Sequence, residues 1–178
     1  MNSQDVILGM LMKRSLTGYE IKQLLENLFS HFYSSSYGTI YPMLSRMEKE
    51  KLITKENIVQ EGKPNKNVYT ITDIGKGQFN SYLQSPMESE SVKSDFLMRL
   101  YFGQFVGYGK VIEWLLDAQQ DAQKQLDEIN KKYSLYKDQM QPTQIICIRM
   151  GIKAYSSKLE VIEEGLASIR QLEQGERN

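Results

Sequence analysis

The chain has 178 residues, 40% of them hydrophobic and 25% charged, the composition of a folded protein with one ordinary domain or two small ones. Twenty-two basic side chains balance twenty-two acidic ones, so a surface for a polyanion has to be a local patch and not a global field. The single cysteine, Cys147, excludes an intrachain disulfide and a thiolate metal cluster, and no apolar run approaches the roughly 18 residues of a membrane span.

The apolar stretch from Val6 to Met12 is too short for a signal peptide, so a cytoplasmic address is expected. Residues 4–12 carry Val6, Ile7, Leu8, Met10 and Leu11 with little polar interruption, which predicts a short, mostly buried helix. After the polar break Lys13-Arg14-Ser15, Thr17 and Glu20 have the spacing of a capping box. Ile21, Leu24, Leu25 and Leu28 then give a second helix one apolar face. Residues 30–36 supply a turn and the next cap.

A third helix is predicted from about Ser36 to Glu50. Its Ile40, Leu44 and Met47 face a core with Met43 on the flank, while Gly38, Tyr41, Pro42, Ser45 and Lys49 project the other way. Pro42 should bend or loosen this helix, because it has no amide to donate to residue 38. Residues 52–59 and 67–71 are β-branched and partly alternating, and Gly62, Pro64 and Asn65 between them supply turn chemistry. Thr72-Asp73 caps a fourth helix bearing Ile74, Phe79, Tyr82 and Leu83. The order is helix, helix, helix, hairpin, helix: a winged helix-turn-helix, within a fold that is mainly α with a small β-hairpin.

Residues 85–91 are short, polar and proline-bearing, and divide a first domain, 1–84, from a second, 92–173. Residues 1–84 hold ten basic and eight acidic side chains, residues 85–178 twelve and fourteen. Beyond the boundary everything is helical in pattern. Asp95 to Phe105 holds Phe96, Leu97, Leu100, Tyr101 and Phe102. A stripe averaging near 3.6 residues per step then runs through Val111, Leu115, Ala118, Ala122, Leu126, Ile129, Tyr133, Tyr136 and Met140, and after Pro142 another runs from Ile145 to Ile169. Cys147 on this apolar helix reads as a small buried hydrophobe. The long stripes fit two helices packing on each other or a seam between two chains, and their length favours a dimer.

Three features could carry chemistry. The hydroxyl-rich face of the third helix, Ser35, Ser36, Tyr37, Gly38, Thr39, Tyr41 and Ser45, can donate to phosphates and touch base edges. Arg46 and Lys49 lie further along, at phosphate distance. Alone this would be a solvated helix face; followed by a hairpin with Lys63 and Lys66 at its turn, it reads as a DNA-binding surface. Tyr69 should pack the wing onto the domain. The aromatic and methionine cluster Phe96, Met98, Tyr101, Phe102, Phe105, Tyr108 and Trp114 is either core or a small-molecule pocket, in which Phe96, Tyr101 and Trp114 would be the effector candidates. His31, the sole histidine, has no partner motif. With no phosphate-binding glycine loop, no metal-ligand spacing and no nucleophile motif, no catalytic residue, cofactor or metal is expected, and the chain does not read as an enzyme.

Leu16-Thr17-Gly18-Tyr19-Glu20-Ile21, then Tyr37-Gly38-Thr39-Ile40-Tyr41-Pro42-Met43-Leu44, then Gly62-Lys63-Pro64 with Val68-Tyr69-Thr70-Ile71-Thr72, resemble the PadR family of bacterial transcriptional regulators in content and order. Val92 to Phe102 and the helices after it resemble the longer form of that family, so the resemblance covers nearly the whole chain. It implies a homodimeric winged-helix repressor on a pseudo-palindromic DNA operator, with helical dimerisation and, in the namesake branch, phenolic acids as releasing effectors. The wing departs from the family pattern: it usually carries arginines and a further basic residue, where this chain has Lys63, Lys66 and Asn67, and lysine lacks the bidentate fork. No effector-binding residue carries over. The alternatives are a winged helix that contacts only protein, and a regulator responding to multiple drugs.

Overall fold

The computed structural model describes residues 2–26, 40–59, 65–89 and 93–176. Ser35, Ser36, Tyr37, Gly38, Thr39 and Lys63 of the expected DNA surface lie outside the described residues, as do His31 and Leu28. The chain divides into two compact units, Met1–Glu90 and Ser91–Asn178.

In the first unit Asn2 caps α1 (Ser3–Leu11): its Oδ1 accepts from the Asp5 amide at 2.9 Å while Asp5 Oδ2 accepts from the Asn2 amide at 2.9 Å. The apolar run buries Ile7, Leu8, Met10 and Leu11. Leu16 and Thr17 form β1, a strand not foreseen from the sequence, where only the break and the cap were legible. β1 leads directly into α2 (Gly18–Leu24). Within the described residues α3 spans Ile40–Lys49, with Leu44 and Met47 fully buried, Ile40 nearly so and Met43 packed against their cluster. β2 (Ile53–Ile58) and β3 (Lys66–Ile71) pair antiparallel, and β1 adds to the free side of β3 through Leu16↔Tyr69 and Thr17↔Val68. The sheet order is β1-β3-β2. Tyr69, in the middle strand, is buried.

The junction after α3 fixes where the sheet begins. Lys51 adopts φ 58°, its amide donates to Glu48 O at 3.0 Å, and the Leu52 amide reaches back to Met47 O at 3.0 Å. This is a Schellman ending with lysine where glycine is the usual occupant. It drops the buried Leu52 onto the next element, and the Leu52 carbonyl accepts from the Thr72 amide and hydroxyl, both at 3.0 Å. Thr72 also caps α4 (Asp73–Gln84), accepting from the Gly75 amide at 3.1 Å. Gly75 packs so tightly on the Leu52 carbonyl that a Cβ there would collide with backbone.

In the second unit Ser94 caps α5 (Asp95–Tyr101). The helix stops short of the expected Phe105, and Gly103–Phe105 form a 3-10 turn. Two long helices follow, α6 (Tyr108–Tyr136) and α7 (Pro142–Glu176). They run antiparallel: positions 109, 129 and 165 lie against Glu173, Gly151 and Leu115 respectively. Val111, Leu115, Ala122 and Ile129 of α6 and Leu159, Ile162 and Leu166 of α7 are buried. The apolar stripes expected at a seam between chains therefore close on each other within one chain along much of their length. Cys147, expected to be buried, is exposed. At 100° per residue it lies about 200° from Ile145, on the far side of the helix from the seam.

Gly75→Ala is expected to lower stability by about 1–3 kcal/mol through overpacking. Lys51→Gly is expected to raise it by up to about 1 kcal/mol by relieving the left-handed lysine. Urea unfolding of the two variants beside the wild-type chain checks both signs.

Candidate nucleic-acid interface

The surface is built on the pair α2 and α3. Thr17 and Glu20 make the expected capping box: the Glu20 amide donates to Thr17 Oγ1 at 3.2 Å and the Thr17 amide to Glu20 Oε2 at 2.8 Å. Arg14 Nη1 donates to Glu20 Oε1 at 2.8 Å. The Thr17 amide first and the Arg14 guanidinium second pull the Glu20 carboxyl down to about 2. The start of α2 is also where α3 rests. A Cβ on Gly18 would stand 2.8 Å from Tyr41 Cε1, so glycine at this position makes room for the Tyr41 ring. That seat explains the adjacency of two motifs that are far apart in sequence, and nothing in either one alone reveals it.

With its back in the core, α3 exposes Tyr41, Pro42, Ser45, Arg46 and Lys49 on one continuous face. Tyr41 is 59% exposed despite its contact with Gly18. Beneath it, burial and then the nearby Glu48 and Tyr41 push the Tyr69 phenol up, so Tyr69 stays neutral and serves packing. Arg46 Nε donates to Glu50 Oε1 at 2.7 Å, which holds the guanidinium firmly in its charged form. Lys55 Nζ of β2 lies 3.6 Å from Glu48 Oε2. Glu50 and Glu48 were not singled out from the sequence, although the four-residue spacing of Arg46 and Glu50 on a helix signals such a pair. Lys49 and Lys66, by contrast, have no ion-pair partner among the described residues.

The wing follows from β2 and β3. Lys66 opens β3 opposite Ile58 and is exposed, and Asn57 Nδ2 donates to Asn67 Oδ1 at 3.0 Å across the pair. At the other edge Ser15 Oγ and Thr70 Oγ1 are hydrogen-bonded at 2.7 Å. Of the expected DNA residues, the structure thus gathers Tyr41, Ser45, Arg46 and Lys49 on one helix face and puts Lys66 on the hairpin.

The effector candidates of the second unit do not all meet. Phe96 and Trp114 line one open groove of about 290 Å³ with Asp95, Arg99, Asp117 and Lys158. Arg99 lies over Trp114, 6.0 Å from the ring centre, and Lys158 over Phe96 at 5.8 Å. Tyr101 lies outside the groove lining, 78% exposed and edge-on to Phe102. Among the described residues no group of His, Cys, Asp and Glu side chains could hold a metal ion, and no helix is long and apolar enough to cross a membrane.

A helix pair whose second member turns a polar face outward, flanked by a three-stranded sheet with an extended hairpin, is a winged helix-turn-helix. The chain belongs to the PadR-like family of transcriptional regulators. The model of the transcriptional regulator PadR-like family matches residues 7–81. The chain is 31% identical over 129 residues to the negative transcriptional regulator PadR of Bacillus subtilis, covering 71% of this chain and 70% of that protein. Among solved structures it is similar to smu.1604c of Streptococcus mutans, at TM-score 0.88 and 41% identity over 94% of this chain and 99% of the other. It is likewise similar to the PadR-like regulator BC1756 of Bacillus cereus, at TM-score 0.87 and 34% identity over 96% and 99%. The Bacillus subtilis PadR solved in complex with operator DNA superposes at TM-score 0.82, with 25% identity over 93% and 98%.

Because the folded state depresses the Glu20 carboxyl, its capping contribution is complete above the unfolded value near 4.5 and is lost as pH falls toward 2. Glu20→Gln is expected to cost at most about 1 kcal/mol at pH 7, since the group is partly solvated. Thermal melts of both proteins from pH 7 to pH 2 should converge on the acid side.

Proposed function

We propose that this chain is a homodimeric transcriptional repressor that binds a pseudo-palindromic operator through α3 and the wing. The observation that carries the reading is the division of α3 into a fully buried back and an exposed face of Tyr41, Ser45, Arg46 and Lys49. Such a helix can enter a major groove without disturbing its own core. Ser35, Ser36, Tyr37, Gly38 and Thr39 belong to the same reading surface on this view, and Lys63 joins Lys66 in bracing the phosphates. The operator complex of the Bacillus subtilis relative supports the assignment.

Dimerisation through the second unit is supported by apolar side chains that the α6–α7 seam leaves uncovered. Ile146 and Met150 are 59% and 68% exposed, one turn apart on α7. Val161 and Leu172 are exposed further along the same helix. A small aromatic effector, with Phe96 and Trp114 as its candidate contacts, completes the proposal; the Bacillus subtilis protein has been solved in complex with p-coumaric acid.

Tyr41→Ala and Lys66→Ala are both expected to weaken binding to DNA from upstream of the chain's own gene. Only Tyr41→Ala should alter sequence preference, whereas Lys66→Ala should lower the salt slope by about one. Gel shifts at several salt concentrations separate the two, and unchanged binding by both variants would refute the assignment. Met150→Asp should convert the sedimenting species from dimer to monomer without loss of helicity; a wild-type chain that sediments as a monomer at micromolar concentration would contradict the dimer.

A further inference from the structure

The cations of the first unit are not equivalent, and the difference points to a division of labour on the DNA surface. The lysines placed there, Lys49 and Lys66, carry no ion pair among the described residues, whereas Arg46, the one arginine of α3, does. Its Nε is held by Glu50 Oε1 at 2.7 Å, and the other Glu50 oxygen, Oε2, accepts from Gln4 Nε2 of α1 at 3.4 Å. Glu50 is therefore anchored from a second helix while it grips the arginine from one side. The Arg46 side chain remains 73% exposed, and both Nη groups, the fork that arginine offers to a guanine edge, are free of protein partners among the described residues.

A cation neutralised by its own neighbour gains little from the diffuse field of the phosphates, because that gain comes from releasing counterions in proportion to net charge. A pre-oriented donor fork keeps all its value toward a base edge. It has already given up much of the rotamer freedom that a long side chain loses on binding. We infer that Glu50 is a positioning residue: it neutralises Arg46 and aims its Nη fork, so that Arg46 reads a guanine while Lys49 and Lys66 hold phosphate. This rests on the DNA-binding reading above and sharpens it, since the sequence alone placed Arg46 at phosphate.

The test compares wild type, Arg46→Lys and Glu50→Gln on two duplexes across a salt series, with thermal melts to verify folding. One duplex is the footprinted segment upstream of the chain's own gene; the other has the same composition in shuffled order. Arg46→Lys keeps the charge and loses the fork, so it should weaken the upstream duplex about tenfold and the shuffled one less than about twofold. Glu50→Gln frees the charge, so it should tighten the shuffled duplex about threefold or more and steepen its salt slope by about one. Equal effects of Arg46→Lys on the two duplexes, or a Glu50→Gln protein identical to wild type on both, would overturn the inference while leaving the DNA-binding assignment standing. A wild-type chain that fails to distinguish the duplexes overturns both.

Discussion

The burial of one side of α3 is the constraint from which the rest of the first unit follows. Leu44 and Met47 are fully buried and Ile40 nearly so, and each large apolar side chain taken from water contributes about 1.5–3 kcal/mol. Rotating the helix by even one residue, about 100°, would exchange this stripe for Tyr41, Ser45 and Glu48 and forfeit that stabilisation. The outward face is thus specified by the inward one. The same helix sets the wing. Its left-handed ending at Lys51 delivers Leu52 to Thr72 and Gly75, and the strand pair hangs from that junction in the register Ile53↔Ile71. The outward face of α3 and the hairpin are two consequences of a single packed corner.

Much of this was legible in the residues because it depends on local spacing. The phase of α3, the reciprocal cap of Thr17 and Glu20, the Thr72 cap and the two wing strands all follow from periodicities within a dozen residues. What escaped depends on distant partners. β1 is two residues long and exists only because β3 presents a free edge beside it. The Tyr41 seat requires Gly18 of another helix to come beneath it. Cys147 was misplaced for a different reason: an apolar neighbourhood in sequence says that a helix is amphipathic, but the exposed Ile146 and Met150 make α7 apolar on two sides. The seam faces α6, and Cys147 falls on the other side.

That second apolar side changes how the long helices are understood. Their 3.6-residue stripe, which by pattern could serve an intermolecular seam, is largely consumed in closing α6 on α7. The uncovered residues of α7 are the ones that the proposed dimer would use. Under the proposed function, two-fold pairing would give the α3 surface its purpose on DNA, because one short helix with a few hydroxyls and one arginine reads too few base pairs to find a site alone. On that reading Lys49 and Lys66, which carry no ion pair among the described residues, would supply the salt-sensitive attraction, and the neutralised Arg46 the discrimination.

The measurement that tests this account most directly is a hydroxyl-radical footprint of the full chain on the DNA upstream of its own gene. Two protected segments on one face of the duplex, with centres about 10 base pairs or a multiple of that apart, are expected from two α3 helices related by a two-fold axis. Protection without that periodicity, or none at concentrations where shuffled DNA is already bound, would contradict it.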